Sequence, residues 1–245
     1  STSPDSQISG GRMRRKAFRG MSLQDLNLNI SYGPTDDRLN SFFIPAMAAS
    51  VRYERAAGYF SSSMLAVAAA GVYKLILNGG TMRLLCGADL AEDDVEAIRR
   101  GHAALEERVA KRMKMRLALP ESEYVRNRLE VLAWLVGTGQ LEIKVVLPKG
   151  PDGHPLPGNN AESYYHPKEG IFTDTQGNQI GFSGSINESG TAIEDNYETF
   201  CVYFSWNESK PYLAQVRRRF ERLWEHKEDN WIAMPIPEAV KQELM

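Results

Sequence analysis

Residues 164–204 read YYHPKEGIFTDTQGNQIGFSGSINESGTAIEDNYETFCVYF. Three β-rich runs are embedded in this stretch. Tyr164–Asp174 and Gln179–Phe182 are joined through Gln176-Gly177-Asn178, a hairpin turn signal, and Tyr197–Phe204 follows as a further strand. His166, Lys168, Asn187 and Glu198 ride on or beside these runs. Residues i and i+2 of a strand share a face, so His166 and Lys168 leave the backbone together.

Such a set suits attack on a phosphodiester. Negative oxygens shield the phosphorus. A catalyst without a metal must therefore supply a nucleophile, fixed positive charge and a proton for the leaving oxygen. His166 can attack and form a phosphohistidine, splitting one hard step into two. The Lys168 ammonium can bind the non-bridging oxygens and stabilise developing charge. Asn187 is a neutral amide donor to the same oxygens, and Ser185 offers a hydroxyl. Gly184 allows close backbone approach. Glu198 can accept the second ring N–H of a histidine and fix its tautomer. No metal or other cofactor is expected.

One histidine attacks and a second must protonate the leaving group. The chain has four: His102, His154, His166 and His226. His102 lies on an apolar helical stripe, His226 near a helix end, and His154 in a Pro/Gly-rich loop. No second H-x-K is present. A homodimer that places two copies of His166 across a two-fold axis is the simpler solution.

The rest of the chain alternates strands and helices. A helix is expected over Asp36–Ser50, a strand over Val51–Phe60, and an Ala-rich helix over Met64–Leu77 ended by Asn78-Gly79-Gly80. Met82–Cys86 reads as a short strand. Val95, Ile98, His102, Leu105, Val109 and Met113 mark a long helix, Ser122–Val136 another, and LEIKVVL over Leu141–Leu147 a strand. Pro148–Ser163 holds four prolines and three glycines and reads as a loop leading into His166. Tyr212–Trp224 is a helix. The expected fold is α/β, a mixed β-sheet flanked by helices. Residues 1–20 are expected to be a disordered, basic tail, 21–230 the folded domain, and 231–245 a C-terminal linker.

A net charge of −2 argues against a uniformly basic nucleic-acid coat, but the charge is uneven. Arg12–Arg19, Arg108–Arg116 and Arg217-Arg218-Arg219 are basic runs that suit a phosphate backbone, or equally a solvated helix face. Arg108, Lys111 and Arg112 are the candidates for backbone contact. Ser61 and Ser62 are candidates to line the cleft, although Ser61-Ser62-Ser63 also suits capping of the helix that follows. Cys86 and Cys201 sit in apolar segments and read as buried thiols. No 18-residue apolar run and no signal-peptide pattern occurs, so no membrane association and a cytoplasmic location are expected.

His166-x-Lys168, then Gly184-Ser185-x-Asn187, then Glu198 resembles the HKD motif of the phospholipase D superfamily, H-x-K-x4-D-x6-G-S-x-N. The likeness is close from Tyr164 to about Phe204. More loosely it begins at Arg52, where AAGYFSSSML resembles the strand-to-helix opening of single-motif HKD nucleases. Those nucleases carry a glutamate 11 residues after the motif asparagine, the position of Glu198 here. Two departures stand out. The family's aspartate falls on Thr173, with Asp174 one residue later, and the gap to Gly184 is longer.

The resemblance implies a phospholipase D-like fold and a dimeric, metal-independent phosphodiesterase, foremost a DNA nuclease or endonuclease. Catalysis would fall to His166, Lys168, Asn187, Glu198 and Ser185, with Asp174 and Gly184 in support. The segment IAMPIPEAVKQELM resembles the junction that precedes a SNF2-class helicase domain in bacterial antiviral defence systems, which would make such a helicase a C-terminal neighbour. The alternatives are a lipid or small-molecule phosphodiesterase with the same core, and a non-catalytic nucleic-acid-binding module of a larger helicase.

Overall fold

The computed structural model describes residues 21–111, 119–158, 164–243 and 245. The expected tail over 1–20, and Arg112, lie outside the described residues, as do the side chains of Arg108 and Lys111.

Eight strands form one mixed sheet. They are β1 (Ser31–Tyr32), β2 (Arg52–Ala57), β3 (Thr81–Cys86), β4 (Leu141–Pro148), β5 (Lys168–Thr173), β6 (Gln179–Gly184), β7 (Phe200–Phe204) and β8 (Trp231–Pro235), ordered β1-β7-β6-β5-β2-β3-β4-β8. β2, β3 and β4 are parallel neighbours, and every other pairing is antiparallel. The helices are α1 (Ile44–Ala48), α2 (Ser63–Val67), α3 (Ala69–Leu77), α4 (Glu92–Lys111), α5 (Glu121–Arg126), α6 (Arg128–Gly137), α7 (Gly190–Glu194), α8 (Lys210–Trp224) and α9 (Ile236–Lys241).

Parallel strands need crossovers, so α2–α3 link β2 to β3 and α4–α6 link β3 to β4. These helices bury one face of the sheet over a core that includes Phe42, Phe43, Phe172, Phe182 and Phe200. Most of their rings meet edge-on or tilted, as between Phe42 and Phe182 at 5.3 Å and 85°, while Phe172 and Phe182 stack. On the opposite face, α8 packs Leu213, Val216 and Phe220 against Ile171, Ala56 and Val146. β2 therefore serves two cores. Tyr53 joins the larger one and Ala56 the smaller, as the alternation of a strand requires.

The expected α/β fold with a mixed, helix-flanked sheet is the one observed, with several differences of detail. The helix expected over Asp36–Ser50 opens as a π-helical turn, Leu39–Phe43, before α1. The helix over Met64–Leu77 breaks at Ala68, and that over Ser122–Val136 at Asn127 (φ −141°, ψ 64°). Residues 231–245 are not simply a linker. Trp231–Pro235 pairs with β4 as an edge strand, and Ile236 and Ala239 of α9 are buried in the main core. Cys86 is buried but Cys201 is exposed, because Phe200, Val202 and Phe204 take the inward positions of β7. The hairpin turn is as expected, with Gly177 at φ 84°, a conformation that favours glycine. No described helix is long and apolar enough to cross a membrane.

Candidate active site

The site lies at one end of the sheet. β2, β3 and β4 are parallel and end there at Ala57, Cys86 and Pro148. β5 runs against β2 and so begins there, with Lys168 opposite Ala57. β6 ends there at Gly184, which pairs with Phe200 at the start of β7. His166, Lys168, Ser185, Asn187 and Glu198 are thereby drawn to the same edge, outside the carboxyl ends of the parallel strands, where open α/β sheets place their ligands.

His166 is exposed and held by its neighbours. Pro167 accepts the Gly58 N–H at 2.8 Å, which extends the β2–β5 pairing by one step. A Cβ on Gly58 would stand 2.8 Å from His166 Cδ2 and 3.0 Å from its Cα, so this residue must be glycine for the histidine to sit here. The buried Lys168 brings Nζ to 2.9 Å from His166 Nε2 and 3.1 Å from Nδ1, within reach of whichever nitrogen is unprotonated. Partial burial, and then the Lys168 charge, hold His166 below the usual histidine range. A neutral, nucleophilic imidazole is favoured at neutral pH. Burial, and then the Arg55 guanidinium, hold Lys168 below the usual lysine range, while Glu198 pulls the other way.

Glu198 is buried and accepts a short hydrogen bond from the Ser185 hydroxyl. It engages Ser185 rather than His166, so its expected pairing with the imidazole is not made within this chain. Ser185 is fixed further by the Thr199 N–H, which donates to Oγ at 3.0 Å. Gly184 passes so close to β7 that a Cβ would lie 2.1 Å from the Thr199 carbonyl, so its lack of a side chain serves strand packing here. Asn187 accepts the Tyr59 N–H on Oδ1 at 3.2 Å. That contact leaves its NH2 group to donate to an anionic oxygen.

The exposed His166 borders two clefts. One, of about 580 Å³, is lined by Gly58, Tyr59, Asp89, Pro148 and Gly158; the other, of about 380 Å³, by Ala56, Arg219, Phe220, Leu223 and Trp231. Tyr164, Tyr165 and His166 line both. The loop expected over Pro148–Ser163 thus contributes a wall at Pro148 and Gly158.

Asp174 is not in the site. It follows β5 at the end opposite Lys168, roughly 20 Å away at about 3.3 Å per residue. There it binds Ser22 Oγ, the Leu23 N–H, the Gln176 and Asn178 N–H groups and Asn178 Nδ2. Burial pushes its carboxyl up, but these bonds outweigh burial and hold it below the usual aspartate range. It is a turn residue that ties the N-terminal segment to the hairpin.

Ser61 and Ser62 are structural as well. Ser62 is buried. Its N–H donates to Asp94 and its Oγ accepts from Arg128 Nε at 3.0 Å. It occupies the N-cap of α2 but makes no side-chain cap bond. Ser61 Oγ accepts from the Ser63 N–H instead. Among the described residues, several basic side chains are paired with carboxylates: Arg99 with Glu96, Arg100 with Glu130, Arg217 with Glu54 and Glu221, and Arg219 with Glu169.

Sequence reading missed the buried cations behind the site. Arg38 is 2% exposed. It donates to the carbonyls of Ile193, Glu194, Asn196 and Glu198, and so fixes the loop that carries Glu198. Arg55 forms a buried ion pair with Glu188, next to Asn187. A lone arginine in sequence gives no sign that it will be buried. Among the described residues, no three His, Cys, Asp or Glu side chains gather as a metal site would require.

No protein-family model matches the chain. No curated protein matches it either. Solved structures do. NucT from Helicobacter pylori is 14% identical, with 82% of this chain and 95% of that chain covered at a TM-score of 0.46. Nuc from Salmonella typhimurium, described as a phospholipase D family member, is 13% identical over 74% of this chain and 86% of its own, at 0.33. The yeast tyrosyl-DNA phosphodiesterase is 9% identical over 64% of this chain and 26% of its own, also at 0.33.

Proposed function

We propose that this chain is a metal-independent phosphodiesterase of the phospholipase D class, and that its substrate is nucleic acid, foremost DNA. One observation carries the reading. His166, Lys168, Ser185, Asn187 and Glu198 come from the approach to β5 and its first residue, the β6–α7 turn and the approach to β7, yet meet at one sheet edge with His166 open to two clefts.

The chemistry follows from the geometry. A neutral His166 attacks phosphorus and the P–O bond to the leaving oxygen breaks. Lys168 and the Asn187 NH2 hold the non-bridging oxygens as charge builds. A second histidine donates the leaving group's proton. Water then attacks the phosphohistidine, releasing the phosphate product and restoring His166. Within one chain the other histidines are poorly suited. His102 is half-buried on α4, His154 lies in the loop after β4, and His226 sits past the end of α8 at φ 60°. A homodimer in which the partner's copy of the same histidine serves as the acid completes the cycle. A defence helicase as a C-terminal neighbour rests on the resemblance of the segment that forms β8 and α9 here.

Wild-type protein incubated with single- and double-stranded DNA in excess EDTA tests the proposal. Cleavage that is lost in His166→Ala supports it. Turnover of lipid phosphodiesters with no DNA affinity would move the substrate to lipid. Steeply salt-dependent DNA binding without any cleavage would make the domain a binding module.

A further inference from the structure

Asn187 is the amide that the reading above sets against the phosphate, and a buried ion pair stands directly behind it. Arg55 and Glu188 are each 1% exposed, with Arg55 Nε 2.8 Å from Glu188 Oε2. The Tyr53 hydroxyl donates to that same oxygen at 2.9 Å. Arg55 Nη2 makes a short bond to the Ile186 carbonyl. Arg55 therefore grips the residues on both sides of Asn187. From the other side, the Tyr59 carbonyl accepts the Glu188 N–H at 3.2 Å, and the Glu188 carbonyl accepts the Ser61 N–H at 2.9 Å.

The pair is poorly suited to stability alone. Desolvating two charges is costly, and apolar pairs of like volume often do as well. This pair also leaves Arg55 Nη1 and Glu188 Oε1 without hydrogen-bond partners among the described residues. What it provides is a fixed fork at the end of β2. The guanidinium lies 4.8 Å over the Phe182 ring of β6, and its charge acts on Lys168.

We propose that Arg55 and Glu188 are positioning residues that hold the Ile186–Glu188 turn so that the Asn187 amide reaches the attacked phosphate. This rests on the phosphodiesterase reading above. Neither residue touches substrate; both act through Asn187, and Arg55 also acts on Lys168.

The test uses bis(4-nitrophenyl) phosphate as substrate and three variants: Arg55→Lys, Glu188→Gln, and the double variant Arg55→Met/Glu188→Met. Folding is checked by circular dichroism and thermal melting. In the folded double variant and in Arg55→Lys, kcat falls about 10- to 100-fold, the scale of an ångström-sized misplacement. KM stays within about threefold, because the loss is felt mainly in the transition state. Glu188→Gln keeps both acceptor contacts and loses less. The alkaline limb of the pH–rate profile moves up in the double variant, where Lys168 loses a like-charged neighbour, and stays in place in Arg55→Lys. A packing defect would not separate the two in this way.

Wild-type kcat in the folded double variant overturns the proposal. If that variant does not fold, wild-type kcat in Arg55→Lys overturns it instead. If wild-type protein turns over no phosphodiester, the functional reading falls, and NMR decides the positioning claim separately. The Asn187 side-chain amide signals, assigned by their loss in Asn187→Ala, should broaden or shift in these variants. Unchanged signals would overturn the claim.

Discussion

Lys168 and Asp174 stand at opposite ends of β5, although the motif they resemble names both a lysine and an aspartate. Lys168 contacts His166, whereas Asp174 accepts five hydrogen bonds in the turn to β6. Asp174→Ala should therefore cost stability and leave turnover alone. Orphaning these donors is expected to cost about 2–3 kcal/mol, read from urea unfolding, with kcat unchanged. The carboxyl is held below its ordinary value in the folded state, so its contribution is present above that value and disappears as pH falls through the folded one. The stability gap between wild type and variant should close in acid. A large fall in kcat with little loss of stability would return Asp174 to the site.

The pH–rate profile has a definite sign. Partial burial, and then the Lys168 charge, disfavour protonated His166. The acid limb of kcat/KM should thus lie below the ordinary histidine value of about 6.5. Lys168→Met removes the cation, so the acid limb should move up in pH while kcat drops. An acid limb that stays in place would mean that Lys168 does not act on the nucleophile.

Gly58 offers a steric test. A methyl group there must push on the ring and backbone of His166. Gly58→Ala should keep the fold, with a melting temperature close to that of wild type, and lower kcat about 10- to 100-fold through misplacement of the nucleophile. Full activity in the folded variant would show that His166 need not occupy this position to react.

Arg38 links stability to the loop bearing Glu198. Its removal in Arg38→Met strands four carbonyls, among them that of Glu198. The expected cost is about 3 kcal/mol, with a fall in kcat as Ser185 and Glu198 lose their fixed geometry. Hydrogen exchange should quicken at residues 193–198. Unaltered exchange there would remove Arg38 from this role.

Much of the site was legible because its residues are close in sequence and strand geometry is regular. Lys168 follows His166 by two, and a hairpin with Gly177 at its turn returns the chain to Gly184 and Ser185. What was hidden depends on distant contacts. β8 holds a proline and pairs with β4, roughly ninety residues earlier, so no local pattern announces it. The break at Asn127 has neither glycine nor proline to mark it. Cys201 looked buried because its neighbours are, but β alternation turns it outward. Arg38, Arg55 and Glu188 are charged residues whose burial follows only from partners that the fold supplies. Asp174 was misleading because an aspartate near a motif position also suits a tight turn.

The most direct test is to look for the covalent intermediate. A short oligonucleotide is mixed with wild-type protein in excess EDTA, the reaction is quenched at neutral to alkaline pH during turnover, and the protein is digested for mass spectrometry. The account predicts a phosphoryl-linked nucleotide fragment on the peptide containing His166, with both adduct and cleavage absent in His166→Ala. Cleavage that persists in His166→Ala, or turnover with no adduct on that peptide, would contradict it.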